Sequence, residues 1–255
     1  MTTMPATDRA LGAGFAALMA CLPLQAAATC SDIRFDATSY TLCEVSADDD
    51  LRLFLDGADG TPHGSFARVQ AMLEERGEAL VFATNAGMYH PDRSPVGLYV
   101  EDGQERRAIV TNEGPGNFGM LPNGVLCIAE GELSVVESRE FAESPPDCRH
   151  ATQSGPMLVI DGALHPRFLD ESESRHIRNG VGVSEGGQRA VFAISNEPVT
   201  FHQFARLFRD HLDLPQALFL DGSVSRLHAP GLNRSDWGRP MGPIVGLVRP
   251  VNNTD

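Results

Sequence analysis

The sequence lacks the close-spaced cysteine and histidine patterns that bind metal ions. Its eight histidines include no His-Glu-x-x-His pair, and its five cysteines include no Cys-x-x-Cys pair. Asp56 and Asp59 could in principle contact calcium, but their Asp-Gly-Ala-Asp-Gly segment is more simply a polar turn. We therefore expect no metal site, no redox role for the cysteines and no cofactor.

The chain is also poor in positive charge, with 20 basic residues against 34 acidic ones and a net charge of −14. Such an acidic surface disfavours nucleic acids and anionic membranes as partners. A small substrate that carries phosphate would have to be held by a few well-placed cations. The composition leaves the oligomeric state open.

Long apolar runs are absent except at the start of the chain. Arg9 precedes an apolar run from Ala10 to Leu24, and the small residues from Ala26 to Ala28 follow it. This order is typical of a secretory signal, so we expect residues 1–28 to be cleaved and residues 29–255 to form a periplasmic or secreted domain. A lipid anchor at Cys21 is the weaker alternative. No later segment reaches the roughly 18 apolar residues of a membrane span.

Removal of the signal leaves four cysteines, and four cysteines in an exported chain suggest up to two disulfides with three connectivities. We favour Cys30–Cys43 and Cys127–Cys148 because each pair closes a short local segment. Free buried thiols are the alternative.

Short apolar runs followed by glycine-containing turns recur along the chain and predict β-hairpins. Two amphipathic helices stand out, one from about Ser65 to Arg76 and one that begins at Thr200, where Thr200 and Gln203 can form a capping box. Linkers and internal repeats are absent. The pattern predicts a single α+β domain, with a mixed, largely antiparallel β-sheet and a few packed helices. The hairpin signals are Asp102-Gly103, Glu130-Gly131, Asp161-Gly162 and Glu185-Gly186-Gly187.

The apolar run Ala217–Leu220 leads directly into Asp221-Gly222-Ser223 and predicts a buried strand that ends in a carboxylate. Taken alone, Asp-Gly after a strand is more often a hairpin turn. A second motif, Gly182-Val183-Ser184-Glu185-Gly186, matches the nucleophile elbow of serine hydrolases. An elbow needs a helix after the serine, whereas a β-rich run follows Ser184, so we expect a hairpin there.

Three further segments carry polar residues beside short apolar runs, and together with Leu220–Ser223 they resemble the phosphodiester glycosidase family. The resemblance covers about residues 30 to 250, and Gly116-Asn117-Phe118 is similar to the compact bacterial branch. Two positions depart from the family pattern, because Ala86 and Ser223 each stand where it has a glycine. The three segments are Asn85–Gly87, Ser154–Pro156 and Arg178–Gly182.

The resemblance implies an exported hydrolase that cleaves a glycosyl phosphodiester, a sugar-phosphate small molecule. Arg178 would clamp the phosphate with its planar fork, or alternatively pair with nearby acids. Asp221 would be the acid/base or charge-stabilising carboxylate, and Glu197 is either a second carboxylate or an ordinary loop acid. Asn85 and Ser154 would position the substrate, although both residue types are also common in turns. Further expected substrate-binding residues are Gly87, Gly155, Asn179, Gly222 and Ser223.

Two other functions stay open at this point. The chain could be a periplasmic glycan-binding or envelope-assembly protein that keeps the fold without turnover. A serine hydrolase that uses Ser184 is the weaker alternative. His90 follows the Asn85 segment closely, but a lone histidine is more often structural.

Overall fold

The computed structural model describes residues 1–2, 30–221 and 224–251, in which three β-sheets enclose a common core. Each strand pair in these ranges is antiparallel. The expected α+β class is confirmed. The largest sheet has seven strands in the order β1 (Cys30–Phe35), β2 (Thr38–Ser46), β13 (Arg189–Ser195), β12 (Asn179–Val183), β14 (Gln216–Asp221), β10 (Met157–Ile160) and β11 (Ala163–Leu164).

Two five-stranded sheets complete the architecture. The second sheet has the order β16 (Arg234–Ser235), β15 (Leu227–Ala229), β4 (Glu78–Asn85), β17 (Ile244–Pro250) and β3 (Leu51–Phe54). The third has the order β6 (Gln104–Arg107), β5 (Tyr99–Glu101), β9 (His150–Ser154), β7 (Gly124–Ala129) and β8 (Glu132–Glu137).

The central core forms where the inner faces of the three sheets meet. Phe82 of β4, Leu126 of β7 and Leu218 of β14 belong to one buried cluster, although each lies in a different sheet. Since one face of each sheet must leave water, this shared cluster holds the sheets together.

Three helices cover the outer faces. α1 (Phe66–Glu74) is capped by the Ser65 hydroxyl and packs on β4 and β17, as its apolar spacing predicts. α2 (Ser138–Glu143) was not predicted from the sequence. α3 (Phe201–Arg206) begins with the expected capping box at Thr200 and continues into a π-helical turn, Leu207–His211. Phe204 and Phe208 pack this segment on the outer face of the seven-stranded sheet.

All four predicted hairpins form, namely β5–β6, β7–β8, β10–β11 and β12–β13. At the first of them, Asp102 and Gly103 have φ angles of 48° and 73°, the pair of positive values that a two-residue type I′ turn requires. Asp161 and Gly162 repeat this geometry with 48° and 76°.

Both predicted disulfides, Cys30–Cys43 and Cys127–Cys148, are present. The first joins β1 to β2, and the second ties β7 to the residue two positions before β9. Among the described residues, no helix is long and apolar enough to cross a membrane. The predicted signal and the mature N-terminus near Thr29 lie outside the described residues and stay predictions.

Candidate active site

Strand β14 carries Asp221 to the edge of the core, as its apolar sequence predicts. Residues 217–220 are fully buried, and Asp221 is 6% exposed. The next strand, β15, pairs with β4 in the second sheet, so β14 and β15 do not form a hairpin. Asp221 is therefore not the turn residue of a simple hairpin. Gly222 and Ser223 lie outside the described residues, and their expected contacts with substrate stay predictions.

Two buried asparagines fix the backbone around Asp221. Asn179 accepts a hydrogen bond from the Asp221 N–H at 3.1 Å through Oδ1. It also donates through Nδ2 to the Thr84 hydroxyl and to the Asn85 carbonyl, both at 2.9 Å. The Asn85 side chain donates to Asn179 Oδ1 at 3.2 Å and accepts from the Arg226 N–H at 2.9 Å. These bonds join the seven-stranded sheet to the second sheet directly behind Asp221.

Both asparagines were expected to contact the substrate, but the structure places them 0% and 1% exposed. Asn85 ends strand β4 and does not form a turn. A buried amide that is hydrogen-bonded on both sides serves chiefly to hold its partners in place. Asn179 thus positions Asp221, and Asn85 positions Arg226.

The Ser154 segment supports β14 from the other side. The Ser154 hydroxyl is buried and donates to the Leu220 carbonyl at 2.7 Å. A Cβ atom added at Gly155 would come within 2.5 Å of Asn123 Cβ. Gly87 has a φ of 153° and lies against the Thr152 hydroxyl, which a Cβ atom would approach to 3.0 Å. These positions need small residues because strands and loops pack closely there.

A cavity of about 670 Å³ opens beside Asp221. Its lining combines one carboxylate, two guanidinium groups, a phenol and an amide with several apolar side chains. A few polar groups that converge on a partly apolar concavity are typical of a small-molecule site. The polar lining residues are Tyr89, Arg93, Asn117, Asp221 and Arg239.

The charged residues around the cavity act on the pKa of the Tyr89 phenol. Partial burial and, next, the Asp221 charge raise the pKa of Tyr89, whereas Arg93, Arg226 and Arg239 oppose the shift. The Arg93 guanidinium carbon lies 5.4 Å from the centre of the Tyr89 ring. Asp221 and three arginines therefore all act on one phenol, and the cavity brings two guanidinium groups together with a carboxylate.

Arg178 lies elsewhere, in the core. Its side chain is buried, its Nε donates to the Val199 carbonyl at 2.9 Å, and its Nη2 donates to the Ser174 carbonyl at 3.1 Å. The guanidinium carbon stacks 3.6 Å from the centre of the Phe201 ring. Burial lowers the pKa of Arg178 to about 10. The hydrogen bonds go to backbone carbonyls rather than to acidic side chains, and Arg178 does not line the Asp221 cavity.

Glu197, Ser184 and His90 also lie outside that cavity lining. Glu197 is exposed in the loop after β13, where its carboxylate accepts from the Ser39 N–H at 3.4 Å. Ser184 follows β12 and precedes a single 3₁₀ turn and β13, so the elbow geometry is absent there, as expected. His90 is exposed, and its N–H donates to the Ser94 carbonyl at 2.8 Å in a tight turn.

Sequence reasoning missed Arg93 and Arg239 as site residues. They lie 128 and 18 positions from Asp221, and neither follows an apolar run. The dipeptide Pro91-Asp92 before Arg93 did indicate a turn. In the structure Arg93 has a φ of 77° in this turn, an uncommon value for a residue with a side chain. Asn117 did lie within a segment that carried the family resemblance, and Tyr89 lies two positions after another, Asn85–Gly87.

Comparison with known proteins agrees with this geometry. Residues 78–252 match the family described as phosphodiester glycosidase, and the chain belongs to that family. The protein YigE of Escherichia coli (strain K12), described as uncharacterized, is 32% identical over 200 residues, which cover 78% of this chain and 77% of YigE. The family resemblance inferred from the sequence is thereby confirmed.

Two solved structures share the fold. One is the zebrafish N-acetylglucosamine-1-phosphodiester alpha-N-acetylglucosaminidase catalytic domain auto-inhibited by its pro-peptide, with a TM-score of 0.58 and 16% identity over 86% of this chain and 81% of that chain. The other is a protein of Burkholderia pseudomallei K96243 described as "putative exported protein", with a TM-score of 0.55 and 11% identity over 82% of this chain and 74% of that chain. Because the identities are only 16% and 11%, these two structures show the fold of the chain and nothing further.

Proposed function

We propose that this chain is an exported hydrolase that cleaves the bond between the anomeric carbon and the phosphate oxygen of a glycosyl phosphodiester. One observation carries the proposal: in a phosphodiester glycosidase fold, Asp221 shares a cavity with Arg93 and Arg239. The two guanidinium groups supply the positive charge that a phosphodiester needs, and the carboxylate suits an electron-poor anomeric carbon.

The chemistry divides between these groups. Arg93 and Arg239 hold the phosphodiester, whose oxygen leaves with the bonding electron pair as the bond to the anomeric carbon breaks. Asp221 stabilises the developing positive charge on the sugar and takes a proton from the water that adds to the anomeric carbon. A phosphate monoester is a good leaving group without protonation. One carboxylate in the cavity is therefore sufficient, and neither Glu197 nor Arg178 needs to touch the substrate.

Export is part of the proposal. Two disulfides favour an oxidising compartment. The exported protein of B. pseudomallei shares the fold, and the first 28 residues read as a signal. We accordingly place the mature protein, beginning near Thr29, in the periplasm or outside the cell.

A substrate panel tests the proposed function. Purified mature protein is incubated with alpha-linked N-acetylglucosamine and glucose phosphodiesters, and with aryl glycosides of the same sugars. We expect free sugar and phosphate monoester from at least one diester, and no turnover of the aryl glycosides. Saturable binding without turnover would instead support the glycan-binding alternative, and cleavage of aryl glycosides alone would contradict the proposed function.

The Arg93→Gln and Arg239→Gln variants connect the panel to the cavity. Loss of one charged hydrogen bond to phosphate costs about 1.5–3 kcal/mol, so kcat/KM should fall roughly tenfold or more in each variant. Arg189→Gln is the matched control, because Arg189 pairs with Glu44 on the surface. If kcat/KM in Arg93→Gln and Arg239→Gln equals that of the wild type and of Arg189→Gln, the phosphate is held elsewhere.

A further inference from the structure

A second cavity, of about 650 Å³, is lined in part by residues that are close in sequence to residues of the Asp221 cavity. Residues 225–226 line it directly after Val224, which lines the first cavity. Residues 233–237 line it just before Arg239, which again belongs to the first. Neighbouring residues of the same two segments thus face the two cavities.

Trp237 lies at the second cavity and is 93% exposed. It is the single tryptophan of the chain. Isolated exposed apolar side chains are ordinary on protein surfaces and need no explanation. Trp237 differs because its indole adjoins a concavity whose other lining residues are mostly polar.

Hydrogen bonds hold that polar wall in place. Arg234 donates through Nη1 to Asn196 Oδ1 at 2.7 Å and to the Thr41 hydroxyl at 2.9 Å. Its Nη2 pairs with Asp236 Oδ2 at 2.9 Å. Asp236 exchanges two more hydrogen bonds with the backbone of Leu227, each 2.9 Å long. The residue directly before Trp237 is therefore fixed at several points, and the cavity wall is formed before any ligand binds.

Hydrogen bonds also join residues that line the second cavity to Asp221 and Arg239, which line the first. The Ser225 hydroxyl donates to the Asp221 carbonyl at 2.7 Å, and its oxygen also lies 3.0 Å from the Ile177 carbonyl, the alternative acceptor. The Arg226 backbone is held by Asn85, while its Nη1 donates to the Arg239 carbonyl at 2.6 Å. A molecule that spans both cavities would pass Val224 of the first and Ser225 of the second.

The charges and polar groups that line the second cavity indicate which kind of ligand it can bind. The Arg234–Asp236 ion pair neutralises its own charges, and Arg226, the other charged residue of the lining, already donates through Nη1 to the Arg239 carbonyl, so an anionic group is not required at this wall. An aromatic face beside fixed hydrogen-bonding groups suits a ring that has an apolar C–H face and hydroxyls at its edge. A neutral pyranose ring has this character.

We propose that the second cavity is a sugar-binding subsite in which a neutral pyranose ring stacks on Trp237 while the Asp221 cavity holds the phosphodiester. The inference rests on the proposed function in assigning the subsite to the second arm of the same substrate.

Fluorescence of Trp237 gives a direct test that needs no turnover, since no other tryptophan contributes to the signal. The wild-type protein is titrated with two neutral disaccharides, maltose and N,N′-diacetylchitobiose, and separately with inorganic phosphate. We expect a saturable change in Trp237 emission with at least one disaccharide and none with phosphate. The absence of a saturable change with both disaccharides would overturn the proposal.

Calorimetric titration of variants locates the bound sugar. Trp237→Ala should weaken disaccharide binding roughly tenfold, because the sugar face is no longer removed from water, and Trp237→Phe should restore part of the affinity. Leu169→Ala, which removes another exposed apolar side chain, is the matched control and should bind normally. Unchanged affinity in Trp237→Ala would overturn the subsite. Concentration-dependent self-association that Trp237→Ala abolishes would instead assign the residue to a protein interface.

A kinetic comparison separates this inference from the proposed function. For a diester with a sugar on the far side of the phosphate, KM should rise about tenfold in Trp237→Ala. For the corresponding methyl diester KM should not change. If the wild-type protein hydrolyses no diester, the proposed function fails, while the disaccharide titrations still decide whether the subsite exists. Equal KM values for both diesters in the variant would contradict its use by the substrate.

Discussion

Burial separates the polar residues of the site into two groups. Asn85, Asn179 and Arg178 are at most 1% exposed, and their side chains bind to other parts of the protein. Arg93 and Arg239 line an open cavity with Asp221. Since a substrate contact requires access, we assign contact with the phosphate to Arg93 and Arg239 and a supporting role to Arg178.

The Arg178→Lys variant tests this division. A lysine cannot reproduce two guanidinium bonds to separate carbonyls or the stacking on Phe201, so we expect a loss of about 2–4 kcal/mol in the free energy of unfolding. Folded Arg178→Lys protein should keep near wild-type kcat on a phosphodiester. Denaturant unfolding and kinetics on the same sample measure both quantities. If the variant has normal stability but has lost turnover, Arg178 contacts the phosphate after all.

Individual elements follow closely from local sequence. The Asp102-Gly103 and Asp161-Gly162 turns, the Ser65 cap and the capping box at Thr200 are determined by residues within a few positions of one another. The place of Asp221 at the end of a buried strand was also predicted, because an apolar run leads directly to it.

Longer-range features could not be predicted in this way. The division into three sheets depends on pairings such as β4 with β17, which are more than 150 positions apart. The approach of Arg93 to Asp221 is a consequence of that packing. The burial of Arg178 likewise depends on α3, which supplies Phe201. Residue type and spacing alone therefore singled out the carboxylate that lines the cavity and missed the two guanidinium groups that line it too.

The buried histidine at the start of strand β9 should make the stability of the protein depend on pH. His150 begins this strand and is 1% exposed, and burial lowers its pKa from 6.5 to about 4. Between these two pH values the unfolded chain binds a proton that the folded protein does not. The free energy of unfolding should therefore fall as pH drops through this window, by up to about 3 kcal/mol from His150.

Urea unfolding at several pH values checks this expectation. His150→Gln should show a smaller loss of stability between pH 6.5 and 4, because the titrating group is gone while a side-chain acceptor for the Asp102 N–H can be kept. His90→Gln is the matched control, since the His90 ring is exposed. Parallel pH profiles for wild type and His150→Gln would contradict the assignment.

At the scale of the whole molecule, an acidic protein presents a cationic cavity. The net charge is −14, and all 20 basic residues are arginines. Distant acids repel an anionic diester over long range, whereas Arg93 and Arg239 act on it at contact. Salt screens charges beyond a Debye length of about 10 Å at 0.1 M and weakens contacts much less.

We therefore expect kcat/KM for an anionic phosphodiester to rise as ionic strength increases from low values to about 0.1 M. Binding of a neutral disaccharide at Trp237 is the internal control and should not depend on salt. Initial rates at subsaturating substrate measure the effect. A steady fall of kcat/KM over the same range would show that the local arginines, rather than the overall charge, govern association.

The Asp221→Asn variant shows whether the Asp221 carboxylate carries out the chemistry. The change keeps the shape and the backbone N–H that Asn179 binds, but it removes the charge and the proton acceptor. Turnover of a glycosyl phosphodiester, measured in a folded variant beside Glu197→Gln and Ser184→Ala, should fall at least about a hundredfold in Asp221→Asn alone. Binding of the diester should change little. Retained turnover in Asp221→Asn, or its loss only in Glu197→Gln or Ser184→Ala, would contradict the account.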